Sequence, residues 1–342
     1  MVKEDYKTAQ WWEKTENDKI LCTLCPRYCT LGEGQAGFCF IRKNIGGTLY
    51  SIGYGRPTGF AVDPIEKKPL SHFLPGTSVL SFGTAGCNLG CKFCQNWSIS
   101  KAKLDDENSF EARPEDVIAL AKKYRTPSIA YTYNDPTIFG EYVIDISKLA
   151  RQEGIKSVMV TAGYIDKEAR KDVYKYIDAA NVDLKAFSEE FYHKVTYSHL
   201  DPVLDTLLWL KTETDIWFEI TTLLIPGEND SPDETRRMCD WILQNLGDSV
   251  PLHFTAFHPD FRMTDKERTP GSTLNTARSI AMNAGIKYCY VGNVHNMEGQ
   301  TTYCPNCHNQ VIRRDWHSVQ SYNLINGHCN ECGRKIAGVF NS

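Results

Sequence analysis

The 342-residue sequence lacks long apolar segments. No stretch approaches the ~20 consecutive apolar residues that a transmembrane helix needs. Residues 1–19 mix charged side chains with aromatic ones, so they contain no apolar core of the kind found in signal peptides. These absences predict a cytoplasmic protein that has no membrane partner.

Blocks of one charge sign are also missing. The 38 Lys and Arg residues are nearly balanced by 42 Asp and Glu residues, which gives a formal net charge of -4. Proteins that bind nucleic acid non-specifically usually carry a basic face, and no run of lysine or arginine indicates one here. Binding to nucleic acid is therefore unsupported. There is also no tandem repeat of solenoid length and no low-complexity segment.

Cysteine, in contrast, is abundant, with 13 residues. In a reducing compartment, thiols at short spacings are more often metal ligands than disulfide partners. Eleven of them fall into three clusters, so the sequence predicts metal binding at three places. The other two, Cys239 and Cys289, stand alone and are predicted to be buried and inert.

Strand-like and helix-like segments alternate through the middle of the chain. This alternation predicts parallel strands with crossover helices, and hence an α/β fold. The number of units favours a partial (β/α)6-type barrel or a full TIM-like barrel, and both place their chemistry beyond the C-terminal ends of the strands. The predicted strands are 79–83, 128–132, 157–161, 181–185, 217–224, 252–257 and 287–291. The predicted helices are 114–124, 136–152, 166–177, 201–213, 232–246 and 273–284.

Composition divides the chain into three parts. Residues 1–75 form a cysteine-rich metal-binding segment that ends in a stretch punctuated by proline and glycine. Residues 76–300 form the predicted barrel. Residues 301–342 are more polar and carry four cysteines, which predicts a zinc-ribbon-like or rubredoxin-like module.

The most compact thiol cluster lies in GTAGCNLGCKFCQNW, at 83–97. Cys87, Cys91 and Cys94 closely follow the first predicted barrel strand, and three thiols within eight residues match the reach of a cubane iron–sulfur cluster. Such a cluster usually takes four cysteines, so its fourth iron would be open to a substrate or cofactor. Gly86 and Gly90 would let the backbone approach the cluster. The alternative is a three-cysteine zinc site completed by a distant histidine.

The motif C-N-L-G-C-K-F-C resembles the signature of radical S-adenosylmethionine (SAM) enzymes. The resemblance implies a 4Fe-4S cluster on Cys87, Cys91 and Cys94, whose open iron is chelated by the methionine part of SAM. It implies reductive cleavage of SAM to a 5'-deoxyadenosyl radical that abstracts hydrogen from a substrate. It also implies an electron donor that resembles flavodoxin or ferredoxin.

Further segments resemble the pyruvate formate-lyase activating enzyme group, each after a predicted strand. Residues 133–136, Tyr-Asn-Asp-Pro, stand where that group has Gly-Gly-Glu-Pro, so an aspartate replaces a glutamate. Residues 161–164, Thr-Ala-Gly-Tyr, have alanine where that group has asparagine, and residues 183–185 match its Asp-Leu-Lys. The residues that this resemblance places against SAM are Phe93, Asn134, Asp135, Asp183, Lys185 and His258.

A narrower resemblance covers nearly the whole chain. DPIEKKPLSHFLPG, CQNW and YTYNDPT together resemble the radical SAM component of the AmmeMemoRadiSam system. This implies Memo-like and companion proteins as partners, with a small molecule or peptide as substrate. Activation of a glycyl-radical enzyme is a second enzymatic hypothesis. A non-catalytic scaffold with zinc at all three clusters is the hypothesis from another functional class.

The two remaining clusters each have four thiols. The N-terminal set can hold structural zinc or a coordinatively saturated iron–sulfur cluster that relays electrons, and ligand softness does not discriminate between them. The C-terminal set has two Cys-x2-Cys knuckles separated by 21 residues, which is typical of structural zinc. The N-terminal set is Cys22, Cys25, Cys29 and Cys39. The C-terminal set is Cys304, Cys307, Cys329 and Cys332.

Overall fold

The computed structural model describes residues 6–16, 19–104 and 109–340. In the described part of the N-terminal segment, short antiparallel strands form two sheets, in the orders β1-β6-β5 and β2-β3-β4. Buried Ile20, Leu24 and Ile41 belong to the main hydrophobic core, so this segment packs directly on the central sheet. The strands are β1 (Lys7–Thr8), β2 (Trp12–Lys14), β3 (Ile20–Cys22), β4 (Thr30–Leu31), β5 (Arg42–Ile45) and β6 (Thr48–Ser51).

The central element is an eight-stranded sheet in the order β14-β13-β12-β11-β10-β9-β8-β7. Strands β8 to β14 run parallel, and β7 pairs with β8 in the antiparallel direction. The parallel strands are apolar and mostly buried, as expected for strands covered on both faces. The strands of the whole sheet are β7 (Pro57–Pro64), β8 (Ser78–Thr84), β9 (Ser128–Tyr131), β10 (Lys156–Thr161), β11 (Ala179–Asp183), β12 (Trp217–Leu224), β13 (Leu252–Ala256) and β14 (Cys289–Gly292).

Helices follow most of these strands. The hydroxyl of Ser231 accepts a hydrogen bond from the backbone N–H of Glu234 and caps α7, as its SPDE start predicts. The helices are α1 (Trp97–Ser100), α2 (Pro114–Lys123), α3 (Gly140–Gln152), α4 (Lys167–Val173), α5 (Glu189–Phe191), α6 (Asp201–Glu213), α7 (Pro232–Asn245), α8 (Gly271–Ala284) and α9 (Met297–Gln300). None of them is long and apolar enough to cross a bilayer.

The α/β prediction is confirmed, and every predicted barrel strand is present with shifts of a few residues. The largest shift concerns the strand predicted at 181–185, which ends at Asp183. The backbone N–H of Lys185 leaves the ladder because it donates to the hydroxyl of Tyr192 at 3.0 Å. The chain therefore leaves the sheet after Asp183.

The sheet does not close into a barrel. Its edges are β7 and β14, so the full TIM-like barrel, which needs eight parallel strands in a ring, is wrong for this chain. The edge strands β7 and β14 leave a gap between them, and we call this gap the seam. Residues 301–340 fill it. The strands of this module are β15 (Thr302–Tyr303), β16 (Gln310–Asp315), β17 (Ser318–Tyr322), β18 (Leu324–Ile325) and β19 (His328–Cys329).

The C-terminal module contacts both sides of the seam. On the β14 side, the hydroxyls of Tyr290 and Thr302 share a hydrogen bond of 2.8 Å. On the β7 side, the guanidinium of Arg314 donates to the carbonyl oxygen of Ser71 at 2.6 Å. Arg314 is only 2% exposed, so the module is anchored by a fully inserted side chain.

Candidate functional site

The C-terminal ends of the parallel strands border a cavity of about 530 Å³. A volume of this size is typical of sites that enclose small molecules. The loops after β8, β9, β10 and β11 contribute to the wall, together with side chains of β12 and β13. Eight of the residues predicted from the resemblance line it: Cys87, Cys91, Phe93, Cys94, Asn134, Asp135, Asp183 and Lys185.

The three clustered cysteines lie on a loop that packs against the N-terminal segment. Gly86 has a φ of 87°, and a Cβ atom there would lie 1.9 Å from the carbonyl oxygen of Cys39. Both the conformation and the contact therefore require glycine. Burial raises the pKa of the Cys91 thiol to about 12. Only a positive partner such as a bound metal would favour its thiolate form.

Asn134 fixes the cysteine loop to the end of β8. Its side-chain N–H donates to the carbonyl oxygen of Gly86 at 2.7 Å, and its Oδ1 accepts from the backbone N–H of Thr84 at 3.2 Å. Because both ends of the amide are engaged with the protein, Asn134 acts on the site by positioning the loop that precedes Cys87.

Asp135 joins the loops after β9 and β10. Its carboxylate accepts from the backbone N–H groups of Thr137 at 2.9 Å and Ala162 at 2.8 Å, and from the hydroxyl of Thr161 at 3.1 and 3.2 Å. Burial raises the pKa of Asp135, although these donors oppose the shift. Ala162 contributes through its backbone, so the loop holds the carboxylate without a polar side chain at that position.

Asp183 and Lys185 place opposite charges beside the cysteines. Their side chains form an ion pair of 2.8 Å. Burial lowers the pKa of Lys185, but the Asp183 carboxylate and the Cys91 thiolate outweigh it and raise that pKa above its usual value. The Lys185 ammonium lies 5.9 Å from the centre of the Phe93 ring. The wall thus carries a carboxylate, an ammonium and an aromatic face at one end of the cavity.

His258 is not among the residues that line the cavity. It is exposed, and its Nδ1 interacts with the carbonyl oxygen of Pro259 at 3.3 Å. The strand-end position alone therefore does not bring this histidine to the other predicted residues.

The opposite end of the cavity contains charged residues that the sequence motifs did not single out. Lys68 pairs with Asp63 at 2.6 Å, and the Nε of Arg314 lies 3.5 Å from a carboxylate oxygen of Glu66. Oε2 of Glu66 and the hydroxyl of Thr221 are buried and have no hydrogen-bond partner among the described residues. Burial raises the pKa of Glu66. This end offers polar atoms that a ligand could satisfy.

The sulfurs of the four C-terminal cysteines lie close together, all within 4.8 Å of one another. Cys304 and Cys332 sulfurs lie 3.5 Å apart, and those of Cys307 and Cys329 lie 3.7 Å apart. A zinc ion with Zn–S bonds of about 2.3 Å would separate its ligands by about 3.8 Å. In the described part of the chain, this is the one group of three or more candidate ligand atoms that all lie within 4.8 Å of one another.

In neither of the other two thiol sets do three sulfurs all lie within 4.8 Å of one another. The N-terminal set has buried Cys22 and Cys39 and partly exposed Cys25 and Cys29. A Cβ atom at Gly37 would lie 3.7 Å from the sulfurs of both Cys29 and Cys39, so those two cysteines flank the same glycine. In a cubane cluster each thiolate binds a different iron, which suits a wider separation of the sulfurs.

Comparison with known proteins identifies the central part of the chain. Residues 82–239 match the family model described as the radical SAM superfamily. The chain belongs to the radical SAM superfamily. It is an enzyme, so the hypothesis of a non-catalytic scaffold is wrong. Membership implies a 4Fe-4S cluster and SAM as cofactors, and three cysteines with wide sulfur spacing on a cavity wall fit such a cluster.

Relatives cover different shares of this radical SAM protein. It is 43% identical to the uncharacterized protein MJ0808 of Methanocaldococcus jannaschii, over 96% of this chain and 98% of the relative. It is 22% identical to the pyruvate formate-lyase-activating enzyme of Clostridium pasteurianum, over 54% of this chain and 76% of that enzyme.

A solved structure supports the fold. The radical SAM methyltransferase of Sphaerobacter thermophilus superposes with a TM-score of 0.50 at 16% identity, over 64% of this chain and 67% of that one. At this identity the likeness shows the α/β fold alone.

Proposed function

We propose that Cys87, Cys91 and Cys94 hold the 4Fe-4S cluster and that SAM lies between them and the Asp183–Lys185 pair. The observation that carries the proposal is the meeting of these residues on one cavity wall. Once bound there, the reduced cluster would supply the electron for cleavage of SAM, and the 5'-deoxyadenosyl radical so formed would take hydrogen from a substrate. The opposite charges of the pair complement the amino and carboxylate groups of methionine.

The protein's contribution is to orient the reactants and exclude water. Asn134 and Asp135 hold the loops after β8, β9 and β10 in place, so the cysteines face the cavity. The C-terminal module closes the side of the cavity with Arg314 and His317. An enclosed site protects a reactive radical from side reactions with solvent.

The proposal is tested by anaerobic reconstitution with iron and sulfide, followed by addition of SAM and dithionite. We expect 5'-deoxyadenosine and methionine as products, measured by liquid chromatography. The control is the variant with alanine at all three cysteines, Cys87, Cys91 and Cys94. Product formation no faster than in this control would refute the assignment of the cluster.

The substrate is proposed to be a small molecule or peptide that contacts the end of the cavity formed by Glu66, Thr221 and Arg314. Unpartnered polar atoms at that end favour a substrate with hydrogen-bonding groups. On this proposal Memo-like and companion proteins act on the same substrate. The second candidate is activation of a glycyl-radical enzyme, which is favoured by the similarity to the Clostridium pasteurianum enzyme.

An electron paramagnetic resonance experiment separates the two candidates. The protein, SAM and a reductant are mixed with a glycyl-radical enzyme, and separately with Memo-like proteins and small peptides. A doublet from a glycyl radical on the added enzyme supports the second candidate. Deuterium transfer from a labelled peptide into 5'-deoxyadenosine supports the first.

Replacing Asp135 by asparagine is expected to weaken SAM binding by about tenfold, because an uncharged amide with one acceptor oxygen cannot keep all the charge-assisted hydrogen bonds to the loops after β9 and β10. SAM affinity of the reconstituted protein is measured by equilibrium dialysis. The matched control is Asp233→Asn, at an exposed position on α7. Equal affinity in both variants would show that Asp135 does not support SAM binding.

Zinc is the metal that we propose for Cys304, Cys307, Cys329 and Cys332. Removing one ligand with Cys307→Ser is expected to abolish zinc retention and to lower the melting temperature by at least about 5 °C, because the module fills the seam. Metal analysis and thermal unfolding measure the two effects. His308→Asn, beside the same knuckle, should leave both unchanged. Bound zinc in the Cys307 variant at the wild-type level would contradict the assignment.

A further inference from the structure

The N-terminal thiol set, Cys22, Cys25, Cys29 and Cys39, packs directly against the loop that carries Cys87, Cys91 and Cys94. The carbonyl oxygen of Cys39 lies so close to Gly86 that a Cβ atom there would come within 1.9 Å of it. Gly86 is bonded to Cys87. One non-bonded contact and one peptide unit therefore separate a ligand of the N-terminal set from a ligand of the catalytic set.

A second contact joins the N-terminal thiol segment to the loop that carries Cys87. Arg27 lies between Cys25 and Cys29, and its guanidinium donates to the carbonyl oxygens of Asn88 and Tyr197. Asn88 follows Cys87 directly, and its own amide donates to the carbonyl of Tyr164 at 2.8 Å. The catalytic loop is thus held on both sides of Cys87 by the segment that carries the N-terminal thiols.

The charges around the N-terminal set suit a group that keeps a net negative charge. Arg42 is buried and pairs with Glu141 at 2.9 Å. Its guanidinium lies close enough to Cys22 and Cys39 to interact electrostatically with both. A fixed guanidinium beside thiolates stabilises them in a low-dielectric environment.

The N-terminal set also has an outward side. Cys25 and Cys29 are partly exposed, and the neighbouring Tyr28 and Phe38 are 48% and 40% exposed. The Cys39 side faces the catalytic loop. The set therefore spans the distance from the surface to that loop, which is the arrangement that an electron carrier requires.

We propose that Cys22, Cys25, Cys29 and Cys39 hold a second iron–sulfur cluster, coordinatively saturated, through which one electron from a flavodoxin- or ferredoxin-class donor enters the catalytic site. All four irons have a thiolate ligand, so this cluster has no position for SAM. It gains one electron from the donor and passes one on, and its net oxidation state is unchanged. The electron-entry role rests on the proposed function, whereas the presence of the second cluster does not.

Iron content tests the second cluster without any assay of activity. Anaerobically purified and reconstituted protein is expected to contain about eight iron atoms and one zinc ion, with all iron in cubane clusters by Mössbauer spectroscopy. The variant with alanine at Cys87, Cys91 and Cys94 is expected to stay brown and to keep about four irons. Two zinc ions in the wild type and a colourless triple variant would overturn the proposal, even if SAM is cleaved.

A ligand variant tests the electron-entry role. Cys39→Ser is expected to lower SAM cleavage at least tenfold with a reduced flavodoxin as donor, and by less than threefold with dithionite, which can reach the catalytic site directly. The control is Cys239→Ala, which removes a buried thiol on α7. An equal loss with both reductants would overturn the role. If Cys39→Ser does not fold, the triple-alanine variant provides the test, because its only iron–sulfur cluster would be the one on the N-terminal set. Flavodoxin is expected to reduce that cluster, and a failure to do so would overturn the role.

Discussion

Replacing Cys91 by alanine is expected to reduce the rate of SAM cleavage roughly 1,000-fold or more. The three thiols of Cys87, Cys91 and Cys94 act as a unit, so the loss of one disables all of them. Cys91 is 8% exposed on the cavity wall, and its thiol lies between those of Cys87 and Cys94 in sequence. Two remaining thiolates cannot hold the cluster with one open position. The measurement is 5'-deoxyadenosine formed per minute by reconstituted protein with dithionite.

The control for this variant is Cys289→Ala. Cys289 is also buried, but it lies at the start of β14 and is not among the residues lining the cavity. This variant should retain the wild-type iron content and rate to within about threefold. If Cys91→Ala and Cys289→Ala cleave SAM at similar rates, the cluster is held elsewhere.

Replacing Arg42 by methionine is expected to lower the free energy of unfolding by about 3–5 kcal/mol, because Glu141 would be left buried without its partner. The side chains of both residues are almost completely inaccessible, at 2% and 0%. Arg42 also donates to the backbone carbonyl of Gln10, so its loss releases the start of the N-terminal segment. In a chain of this length the destabilisation corresponds to a fall in melting temperature of roughly 4–7 °C.

The double variant Arg42→Met, Glu141→Gln provides the matched control. Glutamine keeps an acceptor for the backbone N–H of Gln10, which Glu141 now accepts at 2.7 Å, and removes the unpaired charge. We expect at least half of the lost stability to return, measured at equal iron and zinc content. A double variant as unstable as Arg42→Met would show that lost packing, rather than the charge, causes the effect.

The sequence was sufficient for the parallel strands and for the cysteines because these signals are local. Apolar runs of β8 to β13 and the spacing of Cys87, Cys91 and Cys94 are visible within short windows. The charge pair at 183–185 could be placed because it directly follows β11, and parallel strands bring their C-terminal ends together.

Long-range contacts could not be predicted in the same way. The docking of Cys39 on Gly86 joins residues from different segments, and no pattern in either segment indicates it. Arg314 reaches Ser71 across the seam for the same reason. One sequence signal pointed to this end of the cavity. The segment DPIEKKPLS, which carries part of the family resemblance, contains the cavity-lining residues Glu66, Lys67 and Lys68.

His258 shows that a position after a strand end does not by itself bring a side chain to the cavity. The residue follows β13, but its side chain is exposed and is not among those that line the cavity. His253, inside β13, lines the cavity and bonds Glu219 at 2.6 Å instead. Of the two histidines, only His253 lies within the strand, where side chains alternate between the two faces of the sheet.

The seam has a consequence for the order of maturation. Its filling residues, 301–340, leave the ribosome after β7 to β14, since synthesis runs from the N-terminus. Until they dock on Ser71 and Tyr290, the flank of the nascent sheet stays uncovered on the side of the cavity that Arg314 later closes. Iron and sulfide delivered during synthesis would therefore have a side entrance that the finished fold has shut.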